Sequence, residues 1–335
     1  MACPAAPGSR SGNRVTADRW AGILRQLGHQ VTIDQQFDGR LSDLLIALHA
    51  RRSHEAIAQY RRLRPDNQVV VVLTGTDLYR DIHTQPLAQK SLEWADRLVV
   101  LQHCGRDELP TSLRSKVRVI YQSAVRTPRP PPKRANTFDV CVLGHLRREK
   151  DPFRTALALR LIPSESRLRV IHAGKSLSPA MTKRARALAE ADSRYQWVGE
   201  LSSGPARRLL AQSQILVLSS IMEGGANVIS EALVDGVPVL ASRIPGSIGL
   251  LGNGYPGFFP VGDTRELASL LVRAEQDAHF RADLTQWCRR RASEFNPARE
   301  KTAWKRLLCE LEAERKGRQF APPPSESTWN RGRSV

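Results

Sequence analysis

The chain has 335 residues, a length typical of two domains, and its 41% hydrophobic content is sufficient for packed cores. The net charge of +18 favours anionic partners: nucleotides, phosphates, nucleic acid or an acidic membrane surface. The 5 cysteines are widely spaced and form no CxxC or CxxH pair, which argues against a disulfide framework or a zinc site. Because the sequence shows no signal peptide and no apolar run of membrane-spanning length, we expect a cytoplasmic protein without stable membrane insertion.

The first part of the chain alternates strands and helices, which is typical of a parallel sheet covered on both faces. A loop from Gly8 to Gly12, rich in small residues, leads into the first helix and could hold a phosphate at that helix N-terminus. The hydrophobic pattern predicts helices at 16–27, 54–63 and 87–95, and strands at 31–33, 44–48, 69–73, 97–101 and 117–121.

Ligands of parallel sheets bind beyond the carboxyl ends of the strands. Several polar residues follow strands directly in this half, and we expect them to lie together: His49, Arg51, Arg52, Thr74, Gly75, Asp77 and Arg80. Each of them alone is compatible with an ordinary loop or capping role.

A proline-rich stretch at 126–134 contains 4 prolines in a short polar run and cannot lie inside a sheet or a helix. We place the domain boundary there, with domains at 1–130 and 131–296. The second half again alternates, with strands predicted at 138–144, 168–173, 195–201, 215–218 and 237–242, and helices at 153–161, 179–191, 228–234, 265–275, 280–294 and 297–312. The polar residues 317–335 are predicted to be disordered.

The stretch from the strand at 215–218 to Glu231 is the most informative part of the sequence. Glu223 precedes Gly224 and Gly225, and Asn227 is a predicted N-cap of the following helix. A strand, a glycine turn and a helix N-terminus together predict an anion site, because unpaired N–H groups and the helix dipole favour a phosphate. Carboxylates on either side would accept hydrogen bonds from hydroxyl groups, so the pattern suits a phosphorylated sugar or a nucleotide.

The residues 223–231 resemble the Glu-x7-Glu signature of the large retaining glycosyltransferase family with the GT-B fold. That resemblance implies an α/β protein with two Rossmann-like domains facing across a cleft, and a C-terminal helix, here 297–316, that crosses back to the first domain. It places the first Glu beside the donor sugar and the second on the ribose hydroxyls. A GT-B domain has a full strand before its first glycine-rich loop, so either this chain starts late or its first strand is a stub.

The same family carries an Arg directly after the glycine of the pyrophosphate loop and a Lys five residues later. Lys150 matches the second position, whereas His145 stands at the first, so that Arg147 or Arg148 would supply the missing charge. The residues that the resemblance implies for binding a UDP-sugar are Gly12, Asn13, His145, Arg147, Lys150, Gly199, Leu201, Gly224, Gly225, Ala226, Asn227 and Glu231.

A narrower resemblance covers the segments 11–20, 48–53, 73–81, 143–152 and 223–227, which are similar to the selenosugar synthases of selenoneine biosynthesis. It implies transfer of a sugar from a UDP-sugar, chiefly UDP-N-acetylglucosamine, to selenophosphate, giving a 1-selenosugar, with pathway partners that make selenophosphate and selenoneine. The implied acceptor-binding residues are Arg14, Arg51, Arg52, Thr76 and Arg80. The implied catalytic residues are Glu223, His49 and Asp77.

Selenophosphate is a strong nucleophile and needs positive charge more than a general base, which agrees with the many basic residues of the first half. Arg51 and Arg52 directly follow a strand, and we expect one of them to matter most. GT-B enzymes need no metal or other cofactor, and no Asp-x-Asp pair is present. The resemblance leaves retention or inversion at the anomeric carbon open.

Two other interpretations remain. One is an ordinary GT-B glycosyltransferase with a sugar, lipid or small-molecule acceptor, docked on an anionic membrane through its basic surface. The other is a nucleic-acid binder, prompted by the net charge of +18. No helix-turn-helix, RNP or zinc motif supports nucleic-acid binding, and we expect none beyond weak retention.

Overall fold

The computed structural model describes residues 1–319 and contains two parallel sheets. The first sheet has the order β1-β2-β3-β4 and the second the order β10-β9-β8-β5-β6-β7. The strands are β1 Leu44–Leu48, β2 Gln68–Leu73, β3 Arg97–Val100, β4 Val117–Val119, β5 Phe138–Leu143, β6 Leu168–Ala173, β7 Tyr195–Trp197, β8 Ile215–Leu218, β9 Val239–Ser242 and β10 Phe258–Phe259.

Helices connect the strands and cover both faces of each sheet, which is how parallel sheets are buried. The α-helices are α1 Gly12–Gln26, α2 His54–Leu63, α3 Ile82–Thr84, α4 Pro86–Trp94, α5 Arg154–Leu159, α6 Pro179–Ala191, α7 Ser203–Gln212, α8 Asn227–Asp235, α9 Pro245–Leu251, α10 Thr264–Gln276, α11 Ala278–Ala292 and α12 Pro297–Gln319. A π-helix, Asp77–Asp81, precedes α3, and short 3-10 turns include His103–Arg106.

The last helix, α12, returns from the second sheet and packs on the first, as the sequence predicts. Trp304 of α12 is fully buried against Trp20 of α1, with the ring centroids 4.8 Å apart in an edge-on arrangement. Glu300 is buried and accepts a hydrogen bond of 2.7 Å from the Trp20 indole. One face of the first sheet is therefore closed by a helix from each end of the chain.

The first three residues lie beside β1 as a short extension of the first sheet. The Ala2 N–H donates to the Ile46 carbonyl at 2.9 Å, and the Leu48 N–H donates to the Ala2 carbonyl at 2.9 Å. Ala2 also forms a single bridge to Asp34. These hydrogen bonds make the first residues the stub of a strand beside β1.

The two domains touch through glycine backbone at the carboxyl ends of their strands. A Cβ on Gly224, after β8, would lie 2.5 Å from the carbonyl carbon and oxygen of Thr74, which follows β2. A Cβ on Gly249 of α9 would lie 1.9 Å from Oε1 of Gln102, which follows β3. Only glycine allows this closeness, so the loops that carry the predicted site residues face one another across the domain interface.

Some predictions from the sequence are wrong. Residues 31–33 form no strand, because the short N-terminal stub makes only one bridge here, to Asp34, and one further hydrogen bond from the Met1 amine to the Thr32 carbonyl, among residues 1–319. The segment after β9, for which no helix is predicted from the sequence, is α9; its glycines weaken the helical pattern but permit its close contacts. Residues 317–319 continue α12, and the rest of the predicted disordered tail lies outside the described residues.

No helix among residues 1–319 is long and apolar enough to cross a membrane.

Candidate functional site

The loop after β5 is built on a close approach of two strand ends. A Cβ on Gly174, after β6, would lie 1.9 Å from the carbonyl oxygen of Gly144, so neither strand end has room for a side chain between them. The Lys175 N–H donates to Nδ1 of His145 at 3.1 Å. Because Nδ1 is an acceptor, the ring proton lies on Nε2.

His145 is neutral near neutral pH. Burial lowers the pKa of His145, and the surrounding cations Arg147 and Lys150 also lower it, against the opposing effect of Glu200. The same side chain meets the backbone of Arg10, which lies just before α1 of the first domain. His145 therefore joins the two domains and brings no positive charge to the loop.

Lys150 and Glu223 form an ion pair between the loop after β5 and the loop after β8. Glu223 is only 8% exposed, and its Oε1 also accepts a hydrogen bond of 2.6 Å from the Ser220 hydroxyl. The Ile221 N–H donates to the Glu149 carbonyl at 2.8 Å, which fixes the two loops to each other. The structure thus brings the predicted pyrophosphate lysine beside the first Glu of the motif.

The two arginines of this loop differ in their surroundings. Arg148 is exposed, whereas the Nε of Arg147 is buried and has no hydrogen-bond partner. A buried guanidinium nitrogen without a partner favours Arg147 over Arg148 as the second cation of the loop. This choice was open from the sequence alone.

The glycine turn after β8 leads into α8, but its capping differs from the prediction. Ala226 is the N-cap with extended backbone, and Asn227 is the first helical residue, so the prediction of an Asn227 N-cap is wrong. The Asn227 side chain faces outward instead and accepts a hydrogen bond of 3.0 Å from Arg19 of α1. Gly225 packs against Leu101 of the first domain, where a Cβ would lie 2.5 Å from the Leu101 Cβ.

Glu231 lies one helical turn beyond Asn227 on the same side of α8. Its Oε1 is 3.8 Å from Nη1 of Arg207, a residue of α7. Burial raises the pKa of Glu231, and the charges of Arg207 and Arg19 counteract that rise. The second Glu of the motif is therefore a partly buried carboxylate whose pKa is raised by burial, with two nearby cations opposing that rise.

The predicted contacts at 199 and 201 lie at the next strand end of the second sheet. Gly199 has a φ of 71°, in the region that favours glycine, and its carbonyl accepts from the Gly174 N–H at 2.7 Å. Leu201 is partly exposed. Glu200, between them, lies 3.9 Å from the guanidinium of Arg10.

Gly12 and Asn13 form the start of α1, whose N-cap is Ser11. The preceding residue, Arg10, lies near both Glu200 and His145 of the second domain. The first glycine-rich loop therefore faces the loops after β5 and β7, as a phosphate-binding loop shared between the domains would.

His49 follows β1 with a φ of 74°, a strained value for a residue with a side chain, and it is buried. Its Nδ1 accepts from the Arg52 N–H at 3.4 Å, so Nε2 carries the proton and donates to Thr76 Oγ1 at 3.1 Å. Burial lowers the pKa of His49 although Asp77 raises it. His49 is thus a neutral hydrogen-bonding group that joins the loops after β1 and β2.

Asp77 does not have the catalytic position that the sequence suggested. It is fully buried, Oδ1 accepts from the N–H groups of Thr74 and Gly75 at 2.9 Å each, and Oδ2 accepts from the Ala50 N–H at 3.0 Å. With both oxygens bound to backbone, this carboxylate holds the two loops in place and is not free to act on a substrate. We therefore correct its role from catalysis to positioning of His49.

The arginines predicted to bind the acceptor form two groups. Arg51 and Arg80 lie on either side of the buried Asp81, with Arg51 Nε 3.0 Å from Oδ2 and Arg80 Nε 2.9 Å from Oδ1. Arg80 also reaches across the interface to Glu149, with Nη1 3.7 Å from Oε1. Arg52 is exposed beside them.

Arg14 is separate from this cluster. It lies on α1 and forms an ion pair of 2.9 Å with Asp18 of the same helix. Its prediction as an acceptor residue rests on the family resemblance alone.

Sequence reasoning missed four residues of the site: Arg10, Arg19, Asp81 and Arg207. Each meets a predicted site residue through a contact that depends on the tertiary structure, and no spacing in the sequence indicates it. Among residues 1–319, no group of three or more His, Cys, Asp or Glu side chains is arranged to hold a metal ion.

Comparison with known proteins finds a family model that matches the second half of the chain. Residues 126–291 match the model of the family described as glycosyl transferases group 1. The matched region is just under half of the chain. It contains the loop with Lys150, the Glu-x7-Glu stretch and the helices around them.

A curated relative is the sucrose synthase of Melioribacter roseus, 29% identical over 119 residues. That match covers 33% of this chain and 15% of the relative, so the chain corresponds to a small part of that protein.

Solved structures show the fold of most of the chain. The HepE protein of Anabaena, solved with UDP and glucose, has a TM-score of 0.64 at 18% identity, covering 81% of this chain and 78% of HepE. The sucrose-phosphate synthase of Thermosynechococcus elongatus has a TM-score of 0.66 at 18% identity, covering 93% and 83%. The α/β architecture with two parallel-sheet domains is the GT-B fold, which confirms the fold predicted from the sequence.

Proposed function

We propose that this protein is a glycosyltransferase that takes a UDP-sugar as donor and selenophosphate as acceptor, and forms a carbon–selenium bond. In this proposal residues 131–296 bind the donor, residues 1–130 bind the acceptor, and the favoured donor is UDP-N-acetylglucosamine. Support for the donor comes from the glycosyltransferase domain, and from neighbours of the same fold solved with UDP and glucose or with UDP and GlcNAc.

The donor would lie along the loops of the second domain. Lys150 and Arg147 would neutralise the diphosphate, the N-terminus of α8 would hold a phosphate, and Glu231 would accept hydrogen bonds from the ribose hydroxyls. Glu223 is paired with Lys150 in the ligand-free protein, and the diphosphate would take over that lysine. Glu223 would then be free to accept a hydrogen bond from a sugar hydroxyl.

The observation that carries the acceptor proposal is the cluster of Arg51 and Arg80 around Asp81, opposite the loop with Lys150. A neutral sugar needs no such cations, whereas a small multiply charged anion does. Arg80 is 44% exposed in its side chain and Arg51 39%, so both can reach a ligand.

In this proposal the reaction is a nucleophilic substitution at the anomeric carbon of the donor sugar. A selenium lone pair attacks the anomeric carbon, the bond from that carbon to the diphosphate oxygen breaks, and its electron pair leaves with UDP. The protein orients the two anions and stabilises the charge on the departing diphosphate through Lys150. Because selenium is already nucleophilic, neutral His49 and His145 are compatible with the reaction. Water then cleaves the selenium–phosphorus bond, giving the selenol and inorganic phosphate.

The test is a matrix of donors and acceptors with UDP release as readout. UDP-N-acetylglucosamine is mixed with selenophosphate, with inorganic phosphate, with neutral sugars or with no acceptor. The products are identified by mass spectrometry. We expect UDP release only with selenophosphate. Release that depends on a neutral sugar would instead favour the ordinary glycosyltransferase, for which His49 and Thr76 offer hydroxyl-binding groups.

The acceptor cluster is tested separately with an Arg51→Ala, Arg52→Ala double variant. We expect a higher KM for selenophosphate and an unchanged Kd for UDP, because both residues belong to the predicted acceptor group and not to the predicted donor group. An unchanged dependence of turnover on selenophosphate would show that these arginines do not bind the acceptor.

A further inference from the structure

One side of α8 carries three polar residues spaced four apart, so that they lie above one another on the helix: Asn227, Glu231 and Asp235. We call this the α8 stripe. Its residues meet groups from the first domain, from α7 and from the segment that joins the two domains. The α8 stripe is therefore a place where donor binding and domain arrangement can influence each other.

The contact from the first domain is Arg19. Its Nη1 donates to the Asn227 Oδ1 at 3.0 Å, and its charge also acts on Glu231. Arg19 has a rigid base, because its neighbour Trp20 is fully buried against Trp304 of α12. The first domain thus extends a cation to the start of α8 in the second domain.

The other cation at the stripe, Arg207, belongs to the second domain itself. Its Nη2 bonds to Asp235 at 2.7 Å and to the Thr127 hydroxyl at 3.1 Å, while Nη1 lies 3.8 Å from Glu231. Arg207 is mainly occupied by Asp235 and the interdomain segment. The cation that its own domain offers to Glu231 is therefore shared with Asp235. Arg19, from the first domain, is the second cation that acts on Glu231.

We propose that Arg19 is a donor-site residue contributed by the first domain, which holds Glu231 as a charged acceptor for the ribose hydroxyls of the nucleotide. This inference rests on the proposed function, because it needs a nucleotide at α8. Arg19 acts through Glu231 and is a positioning residue. It makes nucleotide affinity depend on the closed arrangement of the two domains, since an open arrangement removes Arg19 from α8.

The charge of Glu231 gives the inference a specific signature. The groups that act on it are Arg19 of α1, Arg207 of α7, Asp235 of α8 itself and Cys141 of β5. Arg19 lowers the pKa of Glu231, so removing Arg19 raises it. Only the ionised Glu231 carboxylate accepts hydrogen bonds from both ribose hydroxyls. The affinity for the nucleotide should therefore fall on acidification, and the fall should begin at a higher pH in a variant without Arg19 than in the wild type.

The experiment is calorimetry of UDP binding to the full chain from pH 5 to 8. Wild type is compared with Arg19→Ala, Arg19→Lys and the control Arg25→Ala, which removes another α1 arginine, one whose side chain donates to the Val31 carbonyl. We expect Arg19→Ala to weaken UDP about tenfold near pH 7, the size of one lost charge-assisted hydrogen bond. Its loss of affinity on acidification should begin at higher pH, and Arg19→Lys should lie between.

The outcomes separate this inference from the proposed function. If the wild type binds no UDP, the donor proposal itself fails. If the wild type binds UDP and Arg19→Ala matches Arg25→Ala in both affinity and pH profile, the role of Arg19 is refuted. An equal loss at every pH would also refute it, because Glu231 would not transmit the effect. The melting temperature of each variant is measured as well, to distinguish a loss of UDP affinity from a loss of folded protein.

Discussion

The contact between Gly224 and the loop after β2 gives the sharpest test of the closed arrangement. A Cβ at Gly224 would lie 2.5 Å from the Thr74 carbonyl and 2.8 Å from the Gly75 nitrogen, and both neighbours are backbone that cannot rotate away. Ordinary contacts of a Cβ begin at 3.4 Å. In Gly224→Ala the two loops must therefore separate by about 1 Å.

A displacement of this size at a reacting centre costs about 100-fold in rate. We expect kcat/KM of Gly224→Ala for UDP release with the acceptor to fall by that factor. Its melting temperature should change little, because Gly224 itself is not part of the hydrophobic clusters of residues 1–319. The matched control is Gly204→Ala on α7, where a Cβ would meet only the Arg208 guanidinium at an ordinary 3.7 Å.

The result that refutes this reasoning is a folded Gly224→Ala variant with kcat/KM within about threefold of Gly204→Ala. The loops would then not need their present spacing during the reaction.

Three further predictions concern single side chains. Lys150→Ala should lower kcat about 100- to 1000-fold in the UDP-release assay, because the departing diphosphate loses its cation. Glu300→Ala should lower the free energy of unfolding in urea by about 3 kcal/mol, because the Trp20 indole loses its buried acceptor. Burial lowers the pKa of His172 to about 4 from 6.5, so the unfolded chain binds the extra proton between these values. Stability should therefore fall by about 3 kcal/mol from pH 7 to pH 4 through this residue, measured by urea unfolding at each pH.

Each of these has its own control. Lys150→Arg keeps the charge and should retain part of the activity, and equal loss in both variants would contradict a role for charge alone. Glu300→Gln keeps one acceptor and should lose less stability than Glu300→Ala. In His172→Asn the pH-dependent loss should be smaller than in the wild type, and an identical pH dependence would show that another group causes it.

The sequence predicts the architecture well because parallel strands buried on both faces are continuous apolar runs. Gln68–Leu73 is buried at every position, and Ile215–Leu218 likewise. Such runs are bounded by polar turns and cannot be mistaken for amphipathic helices. The short N-terminal stub at Ala2 is different, because its pairing depends on a strand more than forty residues away.

The site is predicted less completely, for a physical reason. A motif such as Glu-x7-Glu lies on one loop and one helix, so the resemblance of this short stretch is enough to predict roles for Glu223 and Glu231. The contact of Arg19 with Asn227 joins two domains, and no local pattern encodes it. The role of Asp77 is also invisible in the sequence, since its partners are backbone N–H groups of two separate loops.

At His145 the sequence differs from the resembling family, and the structure shows what the histidine contacts there. The sequence places a titratable ring where the resembling family has an arginine. In the structure the ring accepts from the Lys175 N–H, burial lowers its pKa, and it meets the backbone of Arg10 in the other domain. The ring therefore adds no positive charge to the loop, which still carries Arg147, Arg148 and Lys150.

The most direct test of the central claim is the identity of the bond that is formed. The protein is incubated with UDP-N-acetylglucosamine and selenophosphate, and the sugar product is analysed by mass spectrometry alongside the UDP released. The account predicts one hexosamine with the isotope pattern of selenium for each UDP. UDP release without selenium in the sugar, or release that proceeds equally without selenophosphate, would contradict it.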